Sequence, residues 1–290
     1  MRIANLDSRA VLKTDDGWLD IERSSGGRFP ADIQALYERW AEFTAWTEDA
    51  TGHAVDVSAD AVWGAPTPRP AQVFAIGLNY QSHVDESPVG VSPVPAVFTK
   101  FPSSVIGPYA EVVLPDGGNT DWEAEVVVVI GAAARNVSAA DAWRYVAGLT
   151  IGQDLSERIL QLGAHPPQFS LGKSFPGFSP MGPELVSVDE FDNPDDLGFG
   201  CAIDGEVMQD GRTRNLIFSI PTLIEHLSGV LKLSPGDIIF TGTPGGVGNA
   251  REPKRFLQPG EVLTTWVEGI GEMRNTFRPE RAPRGPAFER

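Results

Sequence analysis

The stretch Asp121-Trp-Glu-Ala-Glu-Val-Val-Val-Val-Ile-Gly131 sets two carboxylates at the start of a run so apolar that it must be buried. Side chains alternate faces along a strand, so Glu123 and Glu125 are expected to point the same way, roughly 7 Å apart along the chain. Two like charges so placed repel each other, and a divalent cation between them would relieve that repulsion. The pattern also fits a strand whose acidic end is simply solvated. The two glutamates are candidate ligands of a hard cation.

Asp154 is the third candidate ligand. The apolar residues 149–152 indicate a buried strand, and Asp154 follows where this strand gives way to a predicted helix. A ligand set made only of carboxylates favours Mg²⁺ or Mn²⁺ over Zn²⁺, which recruits histidine or cysteine. Three protein ligands also leave room for water and a chelating substrate.

Three further residues have side chains suited to catalysis. His83 and Glu86 have the spacing of one helical turn, so the glutamate can orient the imidazole as a base that takes a proton from water. The same spacing is common in surface pairs. Lys173 lies in residues 171–183, where six of thirteen positions are glycine or proline, and its charge could meet a substrate carboxylate or enolate. A solvated lysine fits that position as well.

Composition narrows the classes of partner. The chain has 290 residues, a net charge of −16 and no apolar run near the ~20 residues that a bilayer requires. The negative charge argues against nucleic-acid binding, and the hydropathy argues against membrane insertion. The first residues lack the apolar core of a secretory signal, and the single cysteine, Cys201, has no partner for an internal disulfide. We therefore expect a cytoplasmic protein whose partners are small molecules, proteins or cations.

The elements that must position these residues are mostly β. Short valine- and isoleucine-rich runs separated by many of the 31 glycines and 24 prolines predict a turn-rich fold. Asp15-Asp16-Gly17 predicts a hairpin turn, and residues 219–231 predict an amphipathic helix. Residues 64–70 contain three prolines and fit a linker. This places a small N-terminal α/β domain at 1–66, a catalytic domain at 67–280 and a charged tail at 281–290.

The glycine loop Gly242-Thr-Pro-Gly-Gly-Val-Gly248 follows a predicted buried strand. Its backbone N–H groups could form an anion nest, but it lacks the Gly-Lys-Ser/Thr ending of a phosphate-binding loop. Nucleotide-dependent transfer is therefore poorly supported. The chain also has no Gly-x-Ser-x-Gly elbow, which argues against a serine hydrolase.

Taken in order, these segments resemble the fumarylacetoacetate hydrolase family over roughly residues 70–277. The resemblance lies in Ile76-Gly-Leu-Asn-Tyr-Gln-Ser-His83, Trp122-Glu-Ala-Glu125, Ser156-Glu-Arg-Ile-Leu-Gln161 behind Asp154, the stretch from Lys173 to Pro183, and Thr241-Gly-Thr-Pro-Gly-Gly-Val-Gly248. Relatives commonly carry Asn-Asp-Val-Ser-Ala-Arg where this chain has Gln153-Asp-Leu-Ser-Glu-Arg158. The added negative charge of Glu157 bears on substrate specificity more than on metal binding.

The resemblance implies an α+β, mostly β fold, with a mixed β-roll or β-sandwich around the site, and a homodimer that depends on Mg²⁺ or Mn²⁺. It implies that Glu123, Glu125 and Asp154 are the metal ligands and that His83 and Glu86 form a water-activating dyad. Further contacts with substrate or with developing charge are implied for Lys173, Arg158, Gln161 and Thr243.

The expected reaction is hydrolysis of a carbon–carbon bond in a β-diketo or acylpyruvate-type acid, with substrate chelated by the metal and water activated by His83. The enolate released would be stabilised by the metal and Lys173. Oxaloacetate decarboxylation, or hydration or isomerisation of a 2-oxo-enoic acid, would use the same chelate and enolate. A non-catalytic metal-binding protein on this scaffold is a further alternative.

Overall fold

The computed structural model describes residues 1–87 and 90–280. Its strands are β1 (Arg2–Leu6), β2 (Arg9–Thr14), β3 (Gly17–Asp20), β4 (Ala54–Val55), β5 (Trp63–Gly64), β6 (Val73–Gly77), β7 (Ala96–Thr99), β8 (Val105–Ile106), β9 (Glu111–Leu114), β10 (Thr120–Asp121), β11 (Ala124–Ile130), β12 (Val146–Gln153), β13 (Ser156–Glu157), β14 (Ser179–Val186), β15 (Gly198–Ile203), β16 (Glu206–Arg212), β17 (Ile238–Phe240), β18 (Val262–Val267) and β19 (Gly271–Pro279).

The helices are fewer and mostly short. They are α1 (Ile21–Ser24), α2 (Ile33–Leu36), α3 (Trp40–Thr47), α4 (Gln81–Asp85), α5 (Arg158–Leu162), α6 (Phe169–Gly172) and α7 (Ile220–Val230), with 3₁₀ turns at Tyr37–Arg39, Pro102–Ser104, Ala139–Tyr145, Val188–Glu190, Thr213–Asn215 and Gly248–Ala250. Over the described residues, no helix is both long and apolar enough to cross a membrane. The fold is α+β and mostly β, as predicted.

Two sheets carry most of the strands. The larger runs in the order β4-β3-β2-β1-β14-β12-β11-β17-β6-β7, with β5 and β8 attached at β1 and β14, and the smaller runs β16-β15-β18-β19-β9. A separate two-stranded ribbon joins β10 to β13. The hairpin predicted around Asp15-Asp16-Gly17 is β2–β3, and the amphipathic helix predicted over residues 219–231 is α7.

The valine run of β11 is buried on both faces. Val126 and Val128 belong to an apolar cluster shared with the smaller sheet and α7. Val127 and Val129 belong to a second cluster shared with α2, α3 and the N-terminal strands. A strand covered on both sides needs apolar side chains at every position, which explains the unbroken run. β11 is thus a central strand of the molecule, and it begins at the candidate site.

The N-terminal strands continue the main sheet. β1 pairs with β14 in antiparallel register, from Arg2 opposite Val186 to Ala4 opposite Glu184. The sheet therefore crosses the boundary predicted near residue 66, and the division into a 1–66 domain and a 67–280 domain stays a prediction. The predicted tail, 281–290, lies outside the described residues.

Candidate metal centre and cavity

Three carboxylates meet where β11 begins and β12 ends. In the antiparallel pairing of these strands Glu125 lies opposite Gly152, so Asp154 follows at the same edge. The backbone N–H of Asp154 also donates to the carbonyl of Glu123 at 2.9 Å. One oxygen from each of Glu123, Glu125 and Asp154 lies within 4.8 Å of the others, and all three residues are buried. The structure brings together the three ligands expected from the sequence.

Glu123 does not lie in a strand, although the sequence predicts that it does. The single strand expected from Asp121 onward is interrupted after β10, and Trp122 and Glu123 lie between β10 and β11. Their backbone N–H groups donate to side chains instead of a neighbouring strand: Trp122 to Asp121 Oδ1 at 2.8 Å, and Glu123 to Gln153 Oε1 at 2.9 Å. These bonds satisfy the backbone without a ladder, so strand alternation does not set the direction of Glu123.

Buried cations surround the cluster. Lys173 Nζ lies 2.7 Å from both Glu123 Oε2 and Asp154 Oδ2. Lys100 Nζ lies 2.5 Å from Asp154 Oδ1 and 3.1 Å from the carbonyl oxygen of Phe178. Arg158 Nη1 lies 2.8 Å from Glu123 Oε1. Glu123 and Asp154 are therefore held by ammonium or guanidinium groups on both of their oxygens.

The third carboxylate, Glu125, has no cationic partner among the described residues. Its Oε2 accepts the backbone N–H of Gly242 at 2.7 Å. Burial raises its pKa well above the usual value, and the charges of Asp154 and Glu123 raise it further. Burial also acts to raise the pKa of Glu123, but Lys173 and Arg158 outweigh it and hold that pKa at about 2. Of the three carboxylates, Glu125 is therefore the one whose negative charge is least compensated by protein groups.

A divalent cation fits this donor set. Buried oxygen ligands without histidine or cysteine suit Mg²⁺ or Mn²⁺, and a cation would remove the repulsion that raises the pKa of Glu125. The Tyr80 hydroxyl is buried and has no hydrogen-bond partner among the described residues. Burial raises the pKa of Tyr80 well above its usual value, and the nearby charge of Glu125 raises it further. The Tyr80 hydroxyl is therefore a polar group near the cluster that a further ligand could bond.

His83 and Glu86 form the predicted pair. His83 lies in α4 and Glu86 directly follows this helix, and His83 Nδ1 is 2.7 Å from Glu86 Oε1. The other carboxylate oxygen of Glu86 accepts the backbone N–H of Gly246 at 2.8 Å. This second bond fixes the glutamate, which in turn orients the ring and leaves Nε2 for another partner.

A cavity of about 420 Å³ connects these groups. Of the residues proposed from the sequence, those lining it are His83, Glu86, Glu123, Arg158, Gln161, Lys173 and Thr243. Glu125 and Asp154 lie behind this surface, with 1% and 0% of their area exposed. Phe98, Phe169 and Leu162 form part of an apolar wall. The volume is in the range of pockets that hold small organic ligands.

The three residues expected to contact substrate already have protein partners. Gln161 Oε1 accepts a hydrogen bond from Arg158 Nη1 at 2.8 Å. The hydroxyl of Thr243 donates to the carbonyl of Ala124 at 2.9 Å and accepts from Gln209 Nε2 at 2.8 Å. These bonds fix the side chains at the cavity wall, and their contact with substrate stays a prediction.

Glu157, the departure from the family pattern, does not contact the guanidinium of Arg158 in the structure. Its carboxylate caps α5 by accepting the backbone N–H groups of Ile159 and Leu160 at 3.1 and 2.8 Å, and it accepts that of Asn119 at 2.8 Å. An acid at a helix N-cap is favourable because the first N–H groups of a helix lack partners. The negative charge of Glu157 therefore stabilises the start of α5.

Sequence reasoning missed two buried charged residues. Lys100 directly follows β7, and nothing at this position in the sequence indicated a buried ion pair. Asp121 was seen only as the start of the acidic stretch. Its carboxylate accepts the backbone N–H groups of Gly248 and Asn249 at 2.7 and 2.9 Å and bonds Arg158 Nε at 2.8 Å. Asp121 thus ties the glycine loop to the arginine of the cavity.

Comparison with known proteins places this geometry in a family. The sequence model of the family described as fumarylacetoacetate hydrolase C-terminal matches residues 72–278. The mitochondrial oxaloacetate tautomerase of Homo sapiens is 42% identical over 212 residues, which are 73% of this chain and 68% of that protein.

Solved structures extend the likeness to the whole fold. A crystal structure from Mycobacterium smegmatis shares 49% identity and a TM-score of 0.93, covering 97% of this chain and 100% of that one. Maleylpyruvate hydrolase from Sphingobium sp. SYK-6, solved with manganese(II) and pyruvate, shares 26% identity and a TM-score of 0.76, again over 97% and 100%. With the sequence match over residues 72–278, this likeness shows that the chain belongs to the fumarylacetoacetate hydrolase family.

Proposed function

We propose that this protein is a divalent-metal-dependent enzyme that interconverts the keto and enol forms of a 2-oxo acid of the oxaloacetate type. The observation that carries the proposal is the position of His83, a base oriented by Glu86 at 2.7 Å, on the same cavity as the carboxylate cluster. The name of the human relative, an oxaloacetate tautomerase at 42% identity, supports this choice among reactions that share the site.

Glu123, Glu125 and Asp154 would hold the cation. Bound there, Mg²⁺ or Mn²⁺ would supply a Lewis acid that favours the enolate form of a 2-oxo acid. The manganese in the related maleylpyruvate hydrolase structure supports a divalent metal. Titration with each ion in turn decides between them.

The chain's own side chains supply the proton transfers. His83 Nε2 is the ring nitrogen not held by Glu86. It would take the proton from the carbon next to the keto group, which leaves an enolate, and give that proton to the enolate oxygen to form the enol; ketonisation would be the reverse. The Lys173 ammonium would stabilise negative charge that develops on the substrate oxygens. Burial acts to lower the pKa of Lys173, but the Asp154 and Glu123 carboxylates outweigh it and raise that pKa, so the lysine stays charged.

Carbon–carbon hydrolysis, the reaction expected from the sequence, is the second candidate. The same His83–Glu86 pair could activate water, and the maleylpyruvate hydrolase likeness favours this reading. In tautomerisation the base removes a proton from carbon. In hydrolysis the base removes a proton from water, which attacks the second carbonyl, and the carbon–carbon bond breaks with release of an enolate. Decarboxylation of oxaloacetate would need neither the base nor water.

One experiment separates these reactions. Metal-free protein is reloaded with Mn²⁺ or Mg²⁺ and given oxaloacetate enol, oxaloacetate keto form and an acylpyruvate, with chelator as control. The proposal predicts fast loss of the enol absorbance, with pyruvate released no faster than in buffer containing metal. Fast release of pyruvate from oxaloacetate would support decarboxylation instead, and cleavage of the acylpyruvate would support hydrolysis. Absence of all three activities would support a non-catalytic metal-binding protein.

The homodimer and the cytoplasmic location stay predictions. Sedimentation at micromolar concentration tests the first, since a fully active 31.2 kDa monomer would contradict it. The name of the human relative places that protein in mitochondria, so fractionation of the source cells is the test of the second.

A further inference from the structure

Lys254 differs from the other cations of the cavity. Arg158 is paired with Asp121 and Glu123, and Lys173 is paired with Glu123 and Asp154. Lys254 lines the same cavity, but across the described residues it forms no ion pair, and its Nζ contacts the amide oxygen of Asn249 at 3.0 Å. In a chain of net charge −16, this lysine is unusual, because no protein carboxylate neutralises its positive charge.

The loop that carries Lys254 is fixed relative to the metal cluster. The backbone N–H of Asn249 donates to Asp121 Oδ2 at 2.9 Å, and the same oxygen is 2.8 Å from Arg158 Nε. The backbone N–H of Arg255 donates to the carbonyl of Gly248 at 3.1 Å, which folds the loop back on itself and brings Lys254 to Asn249. Because Arg158 also bonds Glu123, a short chain of contacts connects Lys254 to a metal ligand.

The donors of Lys254 and Asn249 suit a carboxylate. The ammonium has three N–H groups and directs one at Asn249 Oδ1, and the amide NH₂ of Asn249 has no acceptor among the described residues. Both residues line the cavity. A cationic donor beside a neutral donor can bind the two oxygens of one carboxylate, in a charge-assisted bond and an ordinary one.

We propose that Lys254 and Asn249 form a second anion subsite, which binds the distal carboxylate of a 2-oxo dicarboxylic acid whose 2-oxo acid end lies at the carboxylate cluster. This inference rests on the proposed function, because it needs a 2-oxo acid at the metal. It adds that the enzyme distinguishes diacids from monoacids, and that a loop outside the catalytic groups makes the distinction. The cavity volume of about 420 Å³ leaves space for diacids longer than oxaloacetate.

Calorimetry with manganese-loaded protein tests the subsite without requiring turnover. Each diacid is paired with a monoacid of the same chain length: 2-oxoglutarate with 2-oxopentanoate, 2-oxoadipate with 2-oxohexanoate, and 2-oxopimelate with 2-oxoheptanoate. The variants are Lys254→Met and Lys254→Arg. The control is Lys232→Met, because Lys232 is exposed, does not line the cavity, and loses the same charge when replaced.

The parent should bind at least one diacid more tightly than its paired monoacid. Lys254→Met should weaken that diacid roughly 3- to 10-fold, as expected for a partly solvated ion pair, and leave the monoacid unchanged. Lys254→Arg should restore most of the diacid affinity, and Lys232→Met should behave like the parent. A lysine with a merely structural role would not change one ligand of a pair and spare the other.

Two outcomes overturn the proposal in distinguishable ways. If 2-oxo acids bind the parent but Lys254→Met weakens both members of each pair equally, or neither, the subsite is wrong and the proposed function stands. If no 2-oxo acid binds the manganese-loaded parent, the proposed function fails and the subsite fails with it.

Discussion

The carboxylate cluster and the mouth of the cavity, which we define by Leu162 and Lys254, differ in how firmly their side chains are held. Asp154 has no exposed area, and both of its carboxylate oxygens bond buried lysines. A few residues later, Leu162 lines the cavity with 40% of its area exposed. Lys254 also lines the cavity, is exposed and has a single amide contact.

This difference separates two tasks. The cluster is fixed by several contacts per side chain, so replacing one residue leaves another charge unpaired, and such sites tolerate little change. The side chains of the mouth lie on short helices and loops, where substitution costs little stability. We infer that the buried cluster fixes the type of chemistry in this protein and that the mouth selects the acid.

The largest expected effect concerns His83, which lines the same cavity. His83→Ala should lower kcat/KM for the main reaction by about 10²–10⁴-fold, because a general base contributes that much, while manganese affinity stays near that of the parent. Glu86→Ala should lose less, since the base stays present but poorly aimed. Steady-state kinetics and calorimetry on the same preparations measure both quantities. A parent-like rate in His83→Ala would show that the pair is structural.

A matched pair of lysines tests the contrast between buried and exposed charge. Lys100→Met removes one of the two lysines that bond Asp154. Asp154 Oδ1 and the carbonyls of Lys173 and Phe178 then stay buried without this donor, so metal-free stability should fall by about 3–5 kcal/mol. Lys232→Met, at an exposed position, should change stability by less than about 0.5 kcal/mol. Urea unfolding in chelator measures both. Equal stability of the two variants would contradict the assigned role of Lys100.

The smallest effect is expected at the apolar wall. Leu162→Ala should change the free energy of unfolding by less than about 1 kcal/mol, because the side chain is already 40% exposed, and it should alter KM more than kcat. Leu160→Ala is the control, since Leu160 is 44% exposed and does not line the cavity. Kinetics with acids of increasing length would show the difference. If both variants changed KM alike, the wall would not select substrate.

Local patterns in the sequence predicted the elements that local forces decide. The hairpin β2–β3 and helix α7 followed from a turn signal and from apolar spacing. The metal ligands were predicted because two glutamates adjoin a buried run and the order of motifs resembles a family. Patterns of this kind cannot predict partners far apart in the chain. Lys100 meets Asp154 across 54 positions, and Asp121 meets Gly248 across 127, so these bonds depend on tertiary packing alone.

The interruption before β11 was missed for a related reason. The acidic stretch has strand-like composition, but Gln153 takes the backbone N–H of Glu123 from thirty residues away. Lys254 gave no signal in the sequence either, because an exposed lysine in a proline-bearing loop is ordinary. The carboxylate cluster could therefore be predicted in outline from the sequence, and the contacts of Lys254 could not.

The central claim, that the buried carboxylates hold the cation on which activity depends, is tested most directly by calorimetric titration of Mn²⁺ into metal-free parent and Glu125→Gln. Glutamine keeps the shape and can still accept the Gly242 N–H bond, and removing a charge from a crowded carboxylate should spare stability. Manganese affinity should fall by more than about tenfold, with activity lost in parallel. The melting temperature of the metal-free protein should be no lower than that of the parent, because the raised pKa of Glu125 means that its charged form costs stability. Superimposable titrations of parent and variant would contradict the assignment.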